Sequence, residues 1–428
     1  MAALTRPNNL VFVNRYFYPD ESATSRMLSD LALRLARCGL SVAVVTSRQL
    51  YNDPGANLPA FEVVRGVTVH RVMTATRGRS RLSGRALDYA SFYVAASLKL
   101  LRVLERGDVV VAKTDPPLIS VAVARAARWK GAVLVNWLQD LFPEVAAVLT
   151  PGLIPRWLEG RLAAARDRSL RQAAVNVVLG DSMRERLLGR GIDGARVRTI
   201  PNWADAQSIS PLSPDDSSVR RSLGLADKFV VGYSGNFGRA HEFETLLGAA
   251  RLLRGEPQFA FLMTGAGAKS GGLQQAVRAE GLTSFVFQHY QPPHMLGDSM
   301  AAADVHLVSL LPRLEGLIVP SKIYGILAAG RPAVFVGHHE GDLARLIRKH
   351  DCGVAVEVGD SEGLASQLRA LRDDRGRVES MGARARQLLM NEFRGEHAVS
   401  QWLGFLERIA PRVCTAVASQ PLAEATRR

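Results

Sequence analysis

The chain has 428 residues, 47% hydrophobic and 22% charged, a balance that excludes a wholly disordered or fibrous protein and, at about 150 residues per domain, leaves room for two or three. Cys38, Cys352 and Cys414 lie far apart, so neither a disulfide framework nor a zinc-ligand pattern can be written from them, and no apolar run reaches the ~20 residues of a membrane span. Net charge is +14, and residues 1–205 carry 29 Lys/Arg against 17 Asp/Glu while the rest carries 25 against 23. The basic excess thus belongs to the N-terminal half, as a solvated basic surface or as the footprint of a polyanion: nucleic acid, anionic lipid or a pyrophosphate-bearing molecule.

Along the chain, Leu10–Asn14 reads as a first strand, with no secretory leader ahead of it, and Ser25–Ala36 as a helix from its apolar spacing. Strand Ser41–Val45 and a hairpin around Arg65-Gly66 follow. Arg85–Leu104 reads as a helix, Asp108–Ala112 as a strand and Ile119–Trp129 as a helix. Ala132–Trp137, Pro155–Ala173 and Val175–Leu179 continue the alternation. The polar stretch 206–218 reads as a linker. Strand Phe229–Tyr233 and helix Glu242–Leu253 then restart the rhythm, which runs to Val354–Val356 before three last helices. Alternating strands and helices mean parallel sheets, here two doubly wound α/β domains, whose ligands bind at the carboxyl ends of the strands and, with one linker, in the cleft between domains. The expected boundaries are 1–205, linker 206–218, 219–392, a C-terminal helix at 393–410 and a frayed tail at 411–428.

Four segments could carry chemistry. Tyr233-Ser-Gly-Asn-Phe-Gly238 sits between a strand and a helix, where Gly235 and Gly238 let backbone approach an anion and Arg239 stands next; a tight turn is the plainer reading. Gly265 and Gly267 mark another strand-end turn. In Glu315-Gly-Leu-Ile-Val-Pro-Ser-Lys322, Ser321 is placed to cap a helix that Lys322 opens, a combination suited to a diphosphate; Tyr324 lies on that helix. Asp140 follows strand Ala132–Trp137, at a sheet's carboxyl end where catalytic groups sit, or is simply a solvated loop carboxylate. Seven of nine histidines fall at or after His289, without metal-ligand spacing, so no metal is expected.

Taken in order, Tyr16-Phe-Tyr-Pro19, Leu138-Gln-Asp-Leu141, Val178-Leu-Gly-Asp-Ser-Met183, Ile200-Pro-Asn-Trp203, Tyr233-Ser-Gly-Asn236, Gly265-Ala-Gly267 and Val319-Pro-Ser-Lys322 with Ile326-Leu-Ala-Ala-Gly330 resemble glycosyltransferase family 4. These are retaining, nucleotide-sugar-dependent enzymes of the GT-B fold; the resemblance is to the branch that builds O-antigen, capsule and colanic acid. It implies two Rossmann-like domains facing a cleft, acceptor on the N-terminal one and nucleotide sugar on the C-terminal one, with the last helix crossing back. It also implies a hexosyltransferase-type enzyme without cofactor or metal, whose partners are a nucleotide diphosphate sugar, a polyprenyl-pyrophosphate-linked saccharide and an anionic membrane surface. The location implied is cytoplasmic, peripheral at the inner face of the membrane. Nucleic acid is not expected, since aromatic and basic residues are not interleaved.

Arg239, Ser321 and Lys322 would stabilise the leaving diphosphate, Gly235, Asn236, Gly238, Gly265, Gly267, Glu315 and Tyr324 would line the donor site, and Asp140 would orient the acceptor hydroxyl. The chain departs from the family at Leu317 and Gly325, where paired glutamates are common, and at Gln139, where a histidine is. A sugar-nucleotide 2-epimerase of the same fold, or a non-catalytic basic membrane-binding protein on this scaffold, are the alternatives.

Overall fold

The computed structural model describes residues 8–76 and 82–414. They form two units, one holding the chain up to Pro201 and again from Gly395, the other holding Asn202–Arg394.

The first unit runs β1 (Leu10–Val13), α1 (Ala23–Arg37), β2 (Val42–Ser47), β3 (Phe61–Val64), β4 (Val67–Val72), α2 (Leu82–Val103), β5 (Val109–Lys113), α3 (Ile119–Lys130), β6 (Val133–Trp137), α4 (Glu144–Leu149), α5 (Arg156–Gln172), β7 (Val175–Val178), α6 (Asp181–Gly189) and β8 (Val197–Thr199). Its eight strands lie in the order β3-β4-β2-β1-β5-β6-β7-β8. Only the β3–β4 hairpin is antiparallel, turned by Arg65 and Gly66 at φ 46° and 87°. Helices cover the parallel strands, so β1, β2 and β5 are near-continuous valine-rich runs buried on both faces. The order reverses at β1, which pairs with β2 on one side and β5 on the other. The loops after β1 and β5 therefore flank the sheet's switch point, where doubly wound folds bind ligands.

The second unit runs α7 (Ser218–Ser222), β9 (Phe229–Ser234), α8 (Glu244–Leu252), β10 (Phe259–Thr264), α9 (Ser270–Ala279), β11 (Phe285–Gln288), α10 (Leu296–Ala301), β12 (Val305–Ser309), α11 (Lys322–Ala328), β13 (Ala333–Val336), α12 (Asp342–His350), β14 (Gly353–Val356), α13 (Ser361–Asp373) and α14 (Arg375–Glu392). The sheet, β11-β10-β9-β12-β13-β14, is wholly parallel and switches between β9 and β12. The chain then enters α15 (Gly395–Ile409), which belongs to the first unit. There Arg34 of α1 pairs with Glu396 at 2.7 Å, and the fully buried Trp402 packs on Phe12, Trp137 and Phe405 at ring distances of 6.0, 5.2 and 5.0 Å.

The periodicity reading passes over α4, α6 and β8. The sequence of α6, DSMRERLLG, buries only Met183 and Leu187, and β8 is three residues with an arginine at its centre. The stretch read as a linker is not loose. Arg386 donates to the carbonyls of Ala206 and Ile209 at 3.0 Å, Arg331 donates to that of Leu212, and Ser217 accepts from Arg220 N as an N-cap. Arg77, Arg79 and Arg81 and the tail 415–428 lie outside the described residues, as does the side chain of Arg85. Among the described residues no helix is long and apolar enough to cross a membrane.

Because Trp402 is the central large side chain joining α15 to the β1–β6 core, Trp402→Ala should cost about 3–5 kcal/mol, read as a lower urea midpoint for the unfolding transition of the first unit. A midpoint within error of the parent would show that α15 adds little to that core.

Candidate functional site

The β9 and β12 ends converge on one cluster. Gly235 directly follows β9, and at φ 127° its missing side chain leaves room for Lys322: a Cβ there would stand 2.8 Å from Lys322 Cε. Lys322, first residue of α11, is half-buried. Its ammonium lies 3.0 Å from His241 Nε2, 3.3 Å from the Asn236 carbonyl oxygen and 5.0 Å from the centre of the Tyr233 ring. No carboxylate among the described residues forms an ion pair with it. Burial lowers it to about 8, so an anion arriving here would meet a cation that still lacks a counter-charge.

His241 is fixed by what it touches. Nδ1 stands 2.7 Å from the carbonyl oxygen of Ser309, the last residue of β12, and must donate to it. Nε2 is left to accept from Lys322, which makes the ring the neutral Nδ1–H tautomer. Burial, with the Lys322 charge second, lowers His241 to about 4. Glu242 N donates to Ser309 Oγ at 3.1 Å, and Lys269 Nζ donates to the His241 carbonyl oxygen at 2.6 Å. These bonds tie 241–242 to β12 ahead of the helix, which begins at Glu244 after the N-cap residue Phe243. Arg239 is exposed on the turn ahead of that helix, five residues before its start, and stays beside the cluster in the chain.

Other sequence-read residues fall in different places. Gly265 and Gly267 press the β10 turn onto the β9 turn: a Cβ on Gly265 would collide with the Gly235 carbonyl oxygen, and one on Gly267 would meet Asn236 Oδ1. They shape the Gly235–Phe237 backbone, with Phe237 N donating to the Ala266 carbonyl oxygen at 2.9 Å, and Gly238 stands beside the exposed Asn236 side chain. Ser321 precedes α11 but makes no side-chain cap, because its own backbone is helical at φ −65°, ψ −14°. Glu315 Oε1 accepts from Asp342 N at 2.9 Å, so its carboxylate serves the start of α12. Tyr324 is buried against Phe393, 5.3 Å between rings, and burial raises its phenol; it faces the core and not the Lys322 cluster. His241 is absent from the sequence reading, although it stands two residues beyond Arg239.

In the first unit Asp140 lies three residues past the end of β6. It lines a small cavity of about 20 Å³ with Lys113, Thr114, Leu138 and Arg166. The residue is partly exposed, yet Oδ1 is shielded and has no hydrogen-bond partner among the described residues. Burial raises the carboxyl to about 7, the neighbouring Asp115 adds to the rise, and a hydrogen bond from Thr114 and the charge of Lys113 oppose it. The loop is held from below by Arg166, which donates to the Phe142 carbonyl oxygen at 3.1 Å and pairs with Glu144 at 2.5 Å and Asp167 at 2.7 Å. Glu144 is thus a structural carboxylate. Lys113, Thr114 and Asp115 carry no sequence motif that marks them.

Comparison with known proteins decides the family. Residues 22–203 match the Glycosyl transferase 4-like domain, and residues 228–374 match Glycosyl transferases group 1. The chain belongs to glycosyltransferase family 4. This glycosyltransferase is 26% identical over 366 residues to a protein of Escherichia coli K12 named for colanic acid biosynthesis glycosyl transfer, WcaI, covering 82% of this chain and 89% of that one. It is 28% identical over 290 residues to a Pseudomonas aeruginosa protein named as glycosyltransferase WbjE, covering 67% and 72%. Among solved structures, Anabaena HepE in complex with UDP and glucose superposes with a TM-score of 0.70 at 16% identity, covering 94% of this chain and 100% of that one. Sucrose-phosphate synthase of Thermosynechococcus elongatus gives 0.73 at 19%, covering 94% and 98%. These likenesses show the GT-B fold for this glycosyltransferase.

The neutral His241 sets a pH dependence. Its folded value, about 4, lies below the ordinary 6.5, so the stability it contributes is complete above pH 6.5 and is lost as pH falls toward 4. His306, also lowered to about 4 by burial, adds to the same loss. Thermal unfolding of His241→Gln should therefore show a shallower fall in Tm between pH 6.5 and 4 than the parent; parallel profiles would contradict a neutral, buried His241.

Proposed function

We propose that this enzyme transfers a hexosyl group, with retention, from a nucleotide diphosphate sugar to a lipid-linked saccharide in cell-surface polysaccharide biosynthesis. The observation that carries it is the Lys322 cluster: a half-buried ammonium, without a recorded carboxylate partner, at the switch point of the second unit. A diphosphate supplies the missing charge. The solved structures that hold UDP with glucose support a nucleotide sugar as donor, and the relative named for colanic acid biosynthesis supports the pathway class.

In this reading Lys322 and the exposed Arg239 meet the diphosphate, and the Gly235–Gly238 backbone lets it come close. As the C1–O bond to the donor phosphate breaks, negative charge grows on the leaving oxygen where the ammonium is already placed. The acceptor oxygen forms the new bond to C1 on the same face, and its proton passes to the leaving phosphate. No step requires a metal. Asp140 orients the acceptor hydroxyl. Loss of a charge-assisted contact of ~1.5–3 kcal/mol predicts a ten- to hundred-fold fall in kcat/KM for Lys322→Ala and for Arg239→Ala, measured in EDTA with the nucleotide sugar that most raises the parent's Tm in a panel screen. Unchanged kinetics in both variants would sink the assignment, and nucleotide diphosphate released without transfer would point to a 2-epimerase.

Peripheral binding to an anionic membrane is supported by an open groove of about 820 Å³ between α2 and α3, where Val94, Leu98 and Trp129 are exposed beside Arg125 and Arg128. Basic side chains next to aliphatic and aromatic ones suit a membrane interface. Co-sedimentation with anionic vesicles should exceed that with neutral vesicles and should weaken on replacing Arg77, Arg79, Arg81 and Arg85, or Arg125 and Arg128, by Ser; equal binding to both lipids would remove this part of the reading.

A further inference from the structure

Lys113 ends β5 and pairs in register with Trp137, which ends β6. Its ammonium lies 3.6 Å from the centre of the Trp137 ring. Nζ is shielded from solvent and has no hydrogen-bond partner among the described residues, and the same holds for Asp140 Oδ1. Both residues line the ~20 Å³ cavity, which is room for one water or one hydroxyl. A desolvated amine and a desolvated carboxyl, each with an unused site, thus belong to residues that line a cavity with room for one such group. As packing this is costly, since apolar side chains of similar volume fill such a position at least as well.

We propose that Lys113 and Asp140 hold the acceptor hydroxyl between them in this cavity, Lys113 contacting the hydroxyl directly as Asp140 does. The proposal rests on the acceptor role given to Asp140 above. Before the transfer step a hydroxyl placed there accepts from the Lys113 ammonium and donates to the Asp140 carboxylate, so its oxygen is oriented at both ends; as the new bond to C1 forms, the hydrogen bond to Asp140 breaks and the proton goes to the leaving phosphate. Desolvation works against both charges. It drives Lys113 well below the ordinary lysine value, with Asp115 and Asp140 resisting, while Asp140 rises to about 7.

The surrounding groups are accounted for. Thr114 bonds the Asp140 carboxyl and Asp115 repels it. Arg166, across the cavity, is committed to Glu144, Asp167 and the Phe142 carbonyl oxygen. Beyond Asp115 stand Arg15, whose N donates to the Asp115 carbonyl oxygen at 2.7 Å, and Tyr93, bonded to the Pro117 carbonyl oxygen.

The test is thermal unfolding against pH, which needs no substrate. Asp140 is held above its ordinary 3.8, so its protonated form favours the fold. The stability this gives is present below pH 3.8 and lost as pH rises to about 7. The Tm of Asp140→Asn minus that of its parent should therefore climb between pH 4 and 7 and then level. Made in a Lys113→Met background, the same difference should level at least about one pH unit higher, because an attracting charge is gone. In an Asp115→Asn background it should level lower. Opposite displacements are a signature that loss of packing does not produce. Lys113→Gln replaces Lys113→Met should the latter not fold. One levelling point shared by all three backgrounds overturns the coupling. In the transfer assay Lys113→Met should move the acid limb of kcat/KM up by the same interval; a limb that stays put while the thermal profiles move overturns the acceptor part. Asp140→Asn with parental kinetics would instead remove the underlying role of Asp140 and leave the thermal coupling standing.

Discussion

A lysine laid on an aromatic face stands at the strand ends of each unit: Lys113 over Trp137 at 3.6 Å and Lys322 over Tyr233 at 5.0 Å. A ring face attracts an ammonium without neutralising it, so both amines remain short of charge compensation, and burial lowers both. Much of the local architecture exists to permit this. Gly235 lacks the side chain that would displace Lys322, and the Gly265 and Gly267 turn presses the same backbone from the other side. In the first unit the Arg166 network with Glu144 and Asp167 consumes its own charges and anchors the Asp140 loop without supplying Lys113 a partner.

The arrangement in the second unit depends on keeping His241 uncharged. A protonated imidazole would repel Lys322 and could not accept its hydrogen bond. The donor bond from Nδ1 to the Ser309 carbonyl oxygen fixes the tautomer, and the same Ser309 residue, through its hydroxyl, accepts from the Glu242 backbone just ahead of α8. One strand end thus sets the tautomer of the histidine, the orientation of the lysine and the exposed turn that carries Arg239. A phosphate near Lys322 would raise the ammonium from about 8 and strengthen its charge at neutral pH, so binding and protonation reinforce each other.

The sheets are legible because, apart from the β3–β4 hairpin, their strands are parallel and covered: strands such as LVFV and VVVA are apolar throughout, and helices between them have a period of their own. Elements with little to bury are not, β8 and α6 above all. Lys322, Gly235 and Asn236, which the structure brings together, draw attention in the sequence because glycine and lysine at strand ends have local meaning. Tyr324 was misplaced by proximity in sequence. Two residues along a helix are about 200° around it, so when Lys322 faces the β9 turn, Tyr324 must face the core, where Phe393 meets it.

His241 and Lys113 were illegible for a different reason. Neither belongs to a motif, and each acquires its chemistry from a residue far away in sequence: His241 from Ser309 and Lys322, Lys113 from Trp137 and Asp140. A lysine closing a strand ordinarily turns its ammonium to water. Lys113 does not, because the register that sets it opposite Trp137 brings a broad ring where solvent would otherwise be. That register follows from pairing Val109–Ala112 with Val133–Asn136, four cross-strand partners that set the lysine's position without any contribution from its charge. The charge is therefore imposed on the site by the sheet, and Asp140, whose Oδ1 has no hydrogen-bond partner among the described residues, is the group placed to respond.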